Sequence, residues 1–375
     1  MSYLKFTHDQ LYRFCMDAFG KLGFSKEKSQ IITDVLLLSD VYGIESHGMQ
    51  RLVRYHKGIE KGMINVAAEP QVVFETPISA VIDGNAAMGQ LVGHEAMNMA
   101  IAKAKVSGIG IVSARNSNHF GIAGYYAKMA CDEGLIGFAC TNSEAIMVPT
   151  FGRLAMLGSN PIAMSMPADP VPFLFDSSTT VVTRGKLEIY NKMDKQLPDG
   201  WALDKDGNDT TDAADVLKNI VQKNGGGIMP LGGSTEVTGS HKGYGFGMVC
   251  EIFSSILSMG MTSNYAMQGS VGGICHGFAA LNPAFFGDAD AIRQHLSKYL
   301  EELRNSPKAT GKDRIYTHGE KEIIAQQDRL ANGILVNVNT LKEMTEFSDF
   351  VGLNAKDYFG DIDTKAGTEK QSGLY

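Results

Sequence analysis

No G-x-G-x-x-G stands between a strand pattern and a helix pattern in this chain. The glycines at Gly243, Gly245 and Gly247 lack both the spacing and the preceding strand. That absence excludes the common dinucleotide fingerprint. There is no Walker phosphate loop and no H-E-x-x-H, and no compact His/Cys/Asp cluster has metal-ligand spacing, so no metal is expected. The lack of a G-x-S-x-G elbow argues against a serine hydrolase. Cysteine is scarce: five residues (Cys15, Cys131, Cys140, Cys250, Cys275), odd in number, scattered, and without a C-x-x-C pair. Four lie in apolar runs, which points to buried free thiols in a reducing cytoplasm. A formal charge of −7 with no basic stripe argues against a nucleic-acid partner. The first residues, MSYLKFTHDQ, carry no apolar signal-peptide core. No apolar run reaches the roughly 20 residues that cross a bilayer, so a soluble cytoplasmic protein with no membrane partner is expected.

What is present is an ordinary enzyme composition, 44% hydrophobic and 20% charged, in a chain of 375 residues with room for a large core. Thr7-His8-Asp9-Gln10 reads as a capping box, followed at helical spacing by Leu11, Phe14, Cys15, Ala18 and Phe19. Ser25 starts a second helix, through Ile31, Ile32, Val35 and Leu38, that ends near Ser46-His47. From about residue 88 helices alternate with short β-rich runs: a helix around 97–104, strands at 109–113 and 135–140, and a helix between them to about Asp132. Further strands are expected at 162–166, 172–175, 278–281 and 334–338, and helices at 242–260, 288–304 and 319–331. Asp206-Gly207 reads as a tight turn, and the Gly-rich stretch from Asn224 to Gly239 as a long loop. The alternation predicts an α/β layered body. The segments expected are a helical N-terminal part, 1–87, contributing substrate-site residues, a body, 88–350, and a polar C-terminal tail, 351–375, whose last fifteen residues are mobile or ordered by a partner subunit.

Four stretches carry candidate chemistry. In Ser46-His47-Gly48-Met49-Gln50-Arg51, a helix continuing through the motif would place His47 and Arg51 on one face. A group titrating near neutrality then stands beside a planar fork that matches a carboxylate, which suits a small 2-oxo or 2-hydroxy acid. Asn118-His119-Phe120-Gly121 follows a strand and precedes a helix whose free N–H groups suit an anion. Phe175-Asp176-Ser177-Ser178-Thr179-Thr180 ends a strand with four hydroxyl residues, and Gly239-Ser240-His241-Lys242-Gly243 opens a helix with a cation among glycines, as a diphosphate requires. Each also fits a capped turn, a packed loop histidine or a glycine hinge.

Taken in order, Ser46-His47-Gly48 with Arg51-Leu52, Asn118-His119-Phe120-Gly121, Gly158-Ser159-Asn160-Pro161-Ile162-Ala163, Phe175-Asp176 with its hydroxyl run, and Lys242-Gly243-Tyr244-Gly245 resemble the malate/L-lactate dehydrogenase family of the non-Rossmann type. That family includes L-sulfolactate and ureidoglycolate dehydrogenases and 2,3-diketo-L-gulonate reductase. The resemblance runs over roughly residues 5–350. It implies a three-layer α/β fold with a mixed, largely antiparallel sheet, NAD or NADP held in the body without a Rossmann fingerprint, and a homodimer. By motif, His47 would protonate the carbonyl oxygen with Ser46 beside it, Arg51 would hold the carboxylate of a small acid substrate, and His119 matches the acid/base of ureidoglycolate dehydrogenases. The sequence does not choose between the histidines. His119, Gly121, Ser143, Ser177, Ser178, Thr179, Lys242, Gly243, His318, Gly319 and Glu320 match cofactor contacts. His318 stands where Pro is common, Ser159 where Thr is usual, and Lys186 where imine-reducing members carry a carboxylate. The expected activity is NAD(P)-dependent interconversion of a small 2-hydroxy acid, of malate or L-lactate type, and its 2-oxo acid. The alternatives are a ureidoglycolate dehydrogenase, a diketo-sugar-acid reductase, or a non-catalytic nucleotide-binding protein.

Overall fold

The computed structural model describes residues 3–362. The chain opens with β1 (Tyr3–Phe6) and α1 (His8–Lys21). Thr7 caps α1: its hydroxyl accepts from Gln10 N, and the Gln10 side chain accepts from Thr7 N, the expected capping box. The five apolar residues of the pattern share one buried face. Ser25 caps α2 (Lys26–Tyr42), which Gly43 ends in the left-handed conformation. Beyond Gly43 the helix does not continue. Two single 3₁₀ turns, Glu45–His47 and Met49–Arg51, precede α3 (Leu52–Glu60). Gly48, in extended backbone at φ −85° and ψ −152°, separates them, so the single helical face expected for His47 and Arg51 is not formed.

The central region runs β2 (Gln71–Glu75), β3 (Ser79–Asp83), α4 (Gly89–Ser107), β4 (Ile109–Ser117), α5 (Ala123–Asp132), β5 (Ile136–Thr141), β6 (Ile162–Met166) and β7 (Phe173–Ser177). There follow α6 (Arg184–Lys192), β8 (Ala202–Leu203), α7 (Ala213–Gln222), β9 (Gly227–Ile228), α8 (Ser240–Glu251) and β10 (Ile274–Leu281). Then come α9 (Ala289–Asn305), α10 (Glu320–Asn332), β11 (Ile334–Asn337), α11 (Val338–Val351) and α12 (Lys356–Phe359). Seven strands form one sheet in the order β2-β3-β4-β10-β5-β6-β7. Every neighbouring pair is antiparallel except β3–β4. This is the mixed, largely antiparallel sheet expected. Helices α4 and α5 cover one face, and α8 with the π-helical turn Ile252–Ile256 covers the other, giving three layers. The core under α4 and α5 is built mostly of alanines, among them Ala96, Ala100, Ala127, Ala139 and Ala163, which let helix and sheet approach closely.

Several local expectations differ from what is observed. The segment before residue 88 contributes strands as well as helices: β2 and β3 belong to the main sheet, and β1 pairs with β11. The helix expected over 242–260 ends at Glu251 and passes into the π turn. The Gly-rich loop holds the short strand β9, and Val338 begins α11 instead of ending a strand. Part of the expected polar tail is folded. Residues 356–359 form α12, and Phe359 is buried against Phe14 and Phe6, at centroid distances of 4.7 and 5.4 Å. Burying such a side chain contributes about 1.5–3 kcal/mol. The rest of that tail expectation lies outside the described residues. The two ends of the chain thus close one helical cluster, which carries α2, the 3₁₀ turns and α3 at the margin of the sheet.

Candidate active site

A cavity of 740 Å³ opens between this N-terminal cluster and the sheet, and Ser46, Arg51 and His119 line it together. Its walls come from the 3₁₀ turns, α3, the corner after β4, the start of α6 and the start of α11.

The 3₁₀ turns are pinned from beneath by Asp40. Its carboxylate accepts from Met49 N at 2.7 Å, and a Cβ at residue 48 would lie 1.8 Å from Asp40 Oδ1, so only glycine fits there. Burial, only partly offset by the Met49 hydrogen bond, raises Asp40 to about 7. Within the turns, Ser46 Oγ lies 2.9 Å from His47 Nδ1, and Arg51 Nε donates to Ser46 O. Arg51 therefore spends one N–H on its own backbone and keeps its terminal nitrogens for the cavity. Burial and then the Arg51 and Arg54 charges push His47 down to about 3.

The His119 corner is held differently. Asn118 Nδ2 lies 3.0 Å from the carbonyl oxygens of Met63, Ala86 and Ala87, tying the corner to two loops. Phe120 stacks on His276, at 4.4 Å and 5° between planes, and His276 is fixed by Thr141 Oγ1 at 2.8 Å and Ser117 Oγ at 2.9 Å. Gly121, at φ +86°, turns the chain into α5. His119 Nδ1 lies 2.9 Å from the Tyr55 hydroxyl and 3.4 Å from Gly121 N. Gln90 Nε2 in turn donates to the Tyr55 oxygen at 2.8 Å. The Tyr55 hydroxyl can donate or accept, so the ring's tautomer follows the Tyr55 proton: Nδ1 accepts when that hydroxyl donates, and Nδ1–H donates when its oxygen accepts. The His47 and His119 rings stack at 5.5 Å. Burial, and after it the Arg54, His47 and Arg51 charges, hold His119 well below its ordinary range.

The residues matched to a cofactor fall in two groups. Ser143 Oγ accepts from Ser159 N at 3.0 Å, Thr179 bonds to Ser159 O through both its amide and its hydroxyl, and Leu231 N donates to Thr179 O. Gly243 packs on Leu231, whose backbone lies 2.3 Å from where a Cβ would stand. This brings the first turn of α8 beside the hydroxyl run. Gly243 therefore serves helix packing, and its Cβ side is not open to a phosphate. The Lys242 side chain, on that first turn, makes no hydrogen bond or ion pair with any described residue, and a free cation at a helix N-terminus fits a diphosphate. The hydroxyls of Ser177 and Ser178 donate to Ser178 O and Thr180 O, and Ser178 Oγ accepts from the Thr180 hydroxyl at 3.3 Å. The run continues through Thr183 and α6 into the cavity wall. The second group, His318-Gly319-Glu320, flanks β7: His318 O accepts from Leu174 N. Glu320 is committed within its own loop, accepting from Thr317 N at 2.6 Å and pairing with Arg314 at 2.9 Å.

Two cavity residues, Tyr55 and Arg54, and buried Gln90 behind Tyr55 were not singled out in the sequence. Tyr55 follows Arg51 by one helical turn, a spacing that was there to read. Gln90, buried at the start of α4, and Arg54 gave no motif signal.

His119 and Arg51 thus line one cavity, and the hydroxyl run leads from its wall to the first turn of α8. Residues 6–345 match the family model described as malate/L-lactate dehydrogenase. The malate dehydrogenase of Pyrococcus horikoshii is 42% identical over 94% of this chain and 97% of its own length. The L-sulfolactate dehydrogenase of Methanocaldococcus jannaschii is 36% identical over 92% and 97%. The crystal structure of malate dehydrogenase from Entamoeba histolytica superposes with a TM-score of 0.90 at 37% identity, covering 94% of this chain and 99% of that one. A more distant relative, from Escherichia coli K12, is named as an NAD(+)-dependent ureidoglycolate dehydrogenase. The chain belongs to the malate/L-lactate dehydrogenase family, whose named members here are dehydrogenases of hydroxy acids.

Proposed function

We propose that the protein interconverts a small 2-hydroxy acid and its 2-oxo acid, with His119 as the proton-transfer group and Arg51 as the carboxylate clamp. The observation that carries this reading is the Gln90–Tyr55–His119 hydrogen-bond chain. It holds the imidazole by Nδ1 and leaves Nε2 on the cavity side, free of partners among the described residues. A nicotinamide cofactor, NAD or NADP, supplies or receives the hydride at C2 when bound. In reduction, imidazolium His119 gives its Nε2 proton to the carbonyl oxygen and retains the Nδ1 proton. That state requires Nδ1–H to donate to the Tyr55 oxygen, so the Tyr55 proton needs another acceptor. Gln90 Oε1 is buried without a hydrogen-bond partner and becomes that acceptor if the amide turns over. In oxidation the neutral ring takes the hydroxyl proton at Nε2, which requires the tautomer whose Nδ1–H donates to the Tyr55 oxygen. Arg51 orients the acid and contributes through proximity. His47 packs on His119 and stays neutral.

Ser143, Ser177, Ser178, Thr179 and Lys242 would hold the sugar and phosphate portions of the cofactor, with Gly243 setting the helix against them. His318 and Gly319 border β7 where the chain can flank such a ligand. Activity of malate or L-lactate type is favoured over ureidoglycolate or a diketo-sugar acid by the stronger similarity to malate dehydrogenases. The test is absorbance at 340 nm with NADH or NADPH and a panel of 2-oxo acids. Loss of absorbance with oxaloacetate or pyruvate is expected, and no loss with any acid would refute the reading.

Two partner and location readings go with it. Phe246, Met248, Ile252, Ile256, Leu257 and Met259 form an exposed apolar row along α8 and the π turn, which supports a second copy of the chain covering that face. Light scattering should give twice the 40.5 kDa chain mass. Five free buried cysteines, and no described helix long and apolar enough to cross a membrane, support residence in the cytoplasm.

A further inference from the structure

Four cations that line the cavity, Arg54, Lys57, Lys61 and Lys186, have no task in the mechanism above. Arg54 sits on α3, three residues after Arg51, so the two guanidinium stems rise from one side of the helix, their Cβ atoms about 5–6 Å apart. Arg54 is exposed on the cavity wall and makes no hydrogen bond or ion pair with any described residue. The acids on the same walls do not neutralise it. Glu188 pairs with Arg184 at 3.2 Å, Glu45 accepts from the Tyr3 hydroxyl at 3.4 Å, and Glu343 forms no ion pair with it.

Lys57 and Lys61 also line this wall. Arg54 differs from them in where its charge is felt: it acts on His119, His47, Arg51 and Tyr55, the groups around the reacting centre. An unpaired guanidinium on the cavity wall is placed to meet an anion on the substrate itself. Arg51 is nearly enclosed and already bonded to Ser46 O, so it addresses the acid group beside C2. Arg54, exposed on the cavity wall three residues further along, is left for an anion at the opposite end of a short chain.

We propose that Arg54 selects, among 2-oxo and 2-hydroxy acids, those with a second acidic group at the far end of a short chain. The inference rests on the reading of the site as a 2-hydroxy acid dehydrogenase. A methyl group at that end leaves the guanidinium solvated. A carboxylate there gains a charge-assisted, planar contact. Discrimination therefore belongs to Arg54, and the chemistry shared by all substrates to Arg51 and His119.

The experiment compares wild type with Arg54→Met and Arg54→Lys in the full-length protein. The ratio of kcat/KM for oxaloacetate over pyruvate should fall about 10–100-fold in Arg54→Met and recover in part in Arg54→Lys. A ratio that stays constant overturns the proposal, because any general effect on His119 cancels in it. A second readout needs no turnover: with NADH present, succinate should raise the melting temperature of wild type more than butyrate does, and Arg54→Met should abolish that difference. A persisting difference in the variant overturns the proposal. Should no 2-oxo acid be turned over, the dehydrogenase reading falls, while the succinate comparison still decides the role of Arg54.

Discussion

The segment around His47 and the corner around His119 reach the same cavity by opposite means. His47 sits on a pair of single 3₁₀ turns whose geometry depends on one buried carboxyl, Asp40, and on a glycine that leaves room for it. His119 leaves the end of a nine-residue central strand, between an asparagine tied to two loops and a phenylalanine stacked on His276. His47 has a hydroxyl neighbour from its own turn, whereas His119 has a two-member chain from α3 and α4. The difference teaches where each task is best placed. Proton transfer needs a ring fixed in place, and the sheet corner provides it. The clamp, Arg51, is carried by turns that Asp40 pins from beneath.

This contrast can be broken most strongly at His119. His119→Ala should lower kcat about 10²–10⁴-fold, the range for loss of a general acid–base group, in steady-state assays at 340 nm. An effect of that size from His47→Ala alone would reverse the assignment.

Arg51→Met should reduce kcat/KM about 10–100-fold, mostly through KM, as expected for a lost charge-assisted contact. It carries a signed pH consequence. The Arg51 charge lowers His119, so the variant's His119 should ionise at higher pH than wild type. Oxidation requires neutral His119, so the acid limb of its kcat/KM profile should lie below 6.5 in wild type and move upward in Arg51→Met. A limb that does not move would separate the clamp from the proton group.

Tyr55→Phe tests the chain behind the ring. About a tenfold fall in kcat is expected, with KM little changed and the pH profile displaced, because Nδ1 loses its partner while the pocket keeps its shape. A change confined to KM would make Tyr55 a packing residue. The smallest effect is structural: Gly48→Ala places a methyl against Asp40 and should destabilise the fold by about 1–3 kcal/mol in urea titration. Unaltered stability would show the 3₁₀ turns to be more compliant than their packing indicates.

Much of the fold was legible where the signal was local. The Thr7 and Ser25 caps, the apolar stripe of α1 and the runs that became β5 and β6 follow from periodicity and capping chemistry. The errors have physical causes. Gln71–Glu75 is exposed at the edge of the sheet, so its strand lacks the in–out alternation that marks a half-buried one. Helix α6, in the cavity wall, has a largely polar sequence. The break at Gly48 depends on Asp40, eight residues earlier, a tertiary contact that helical spacing cannot express. In the site, His47, Arg51 and His119 carried motif signals. Gln90 did not, because a buried glutamine is defined only by what surrounds it.

The division between the two histidines is tested most directly by single-turnover reduction of oxaloacetate with saturating NADH, comparing His119→Ala and His47→Ala at one pH. The account predicts that hydride transfer in His119→Ala is at least about tenfold slower than in His47→Ala. Equal rates, or a slower His47→Ala, would contradict it.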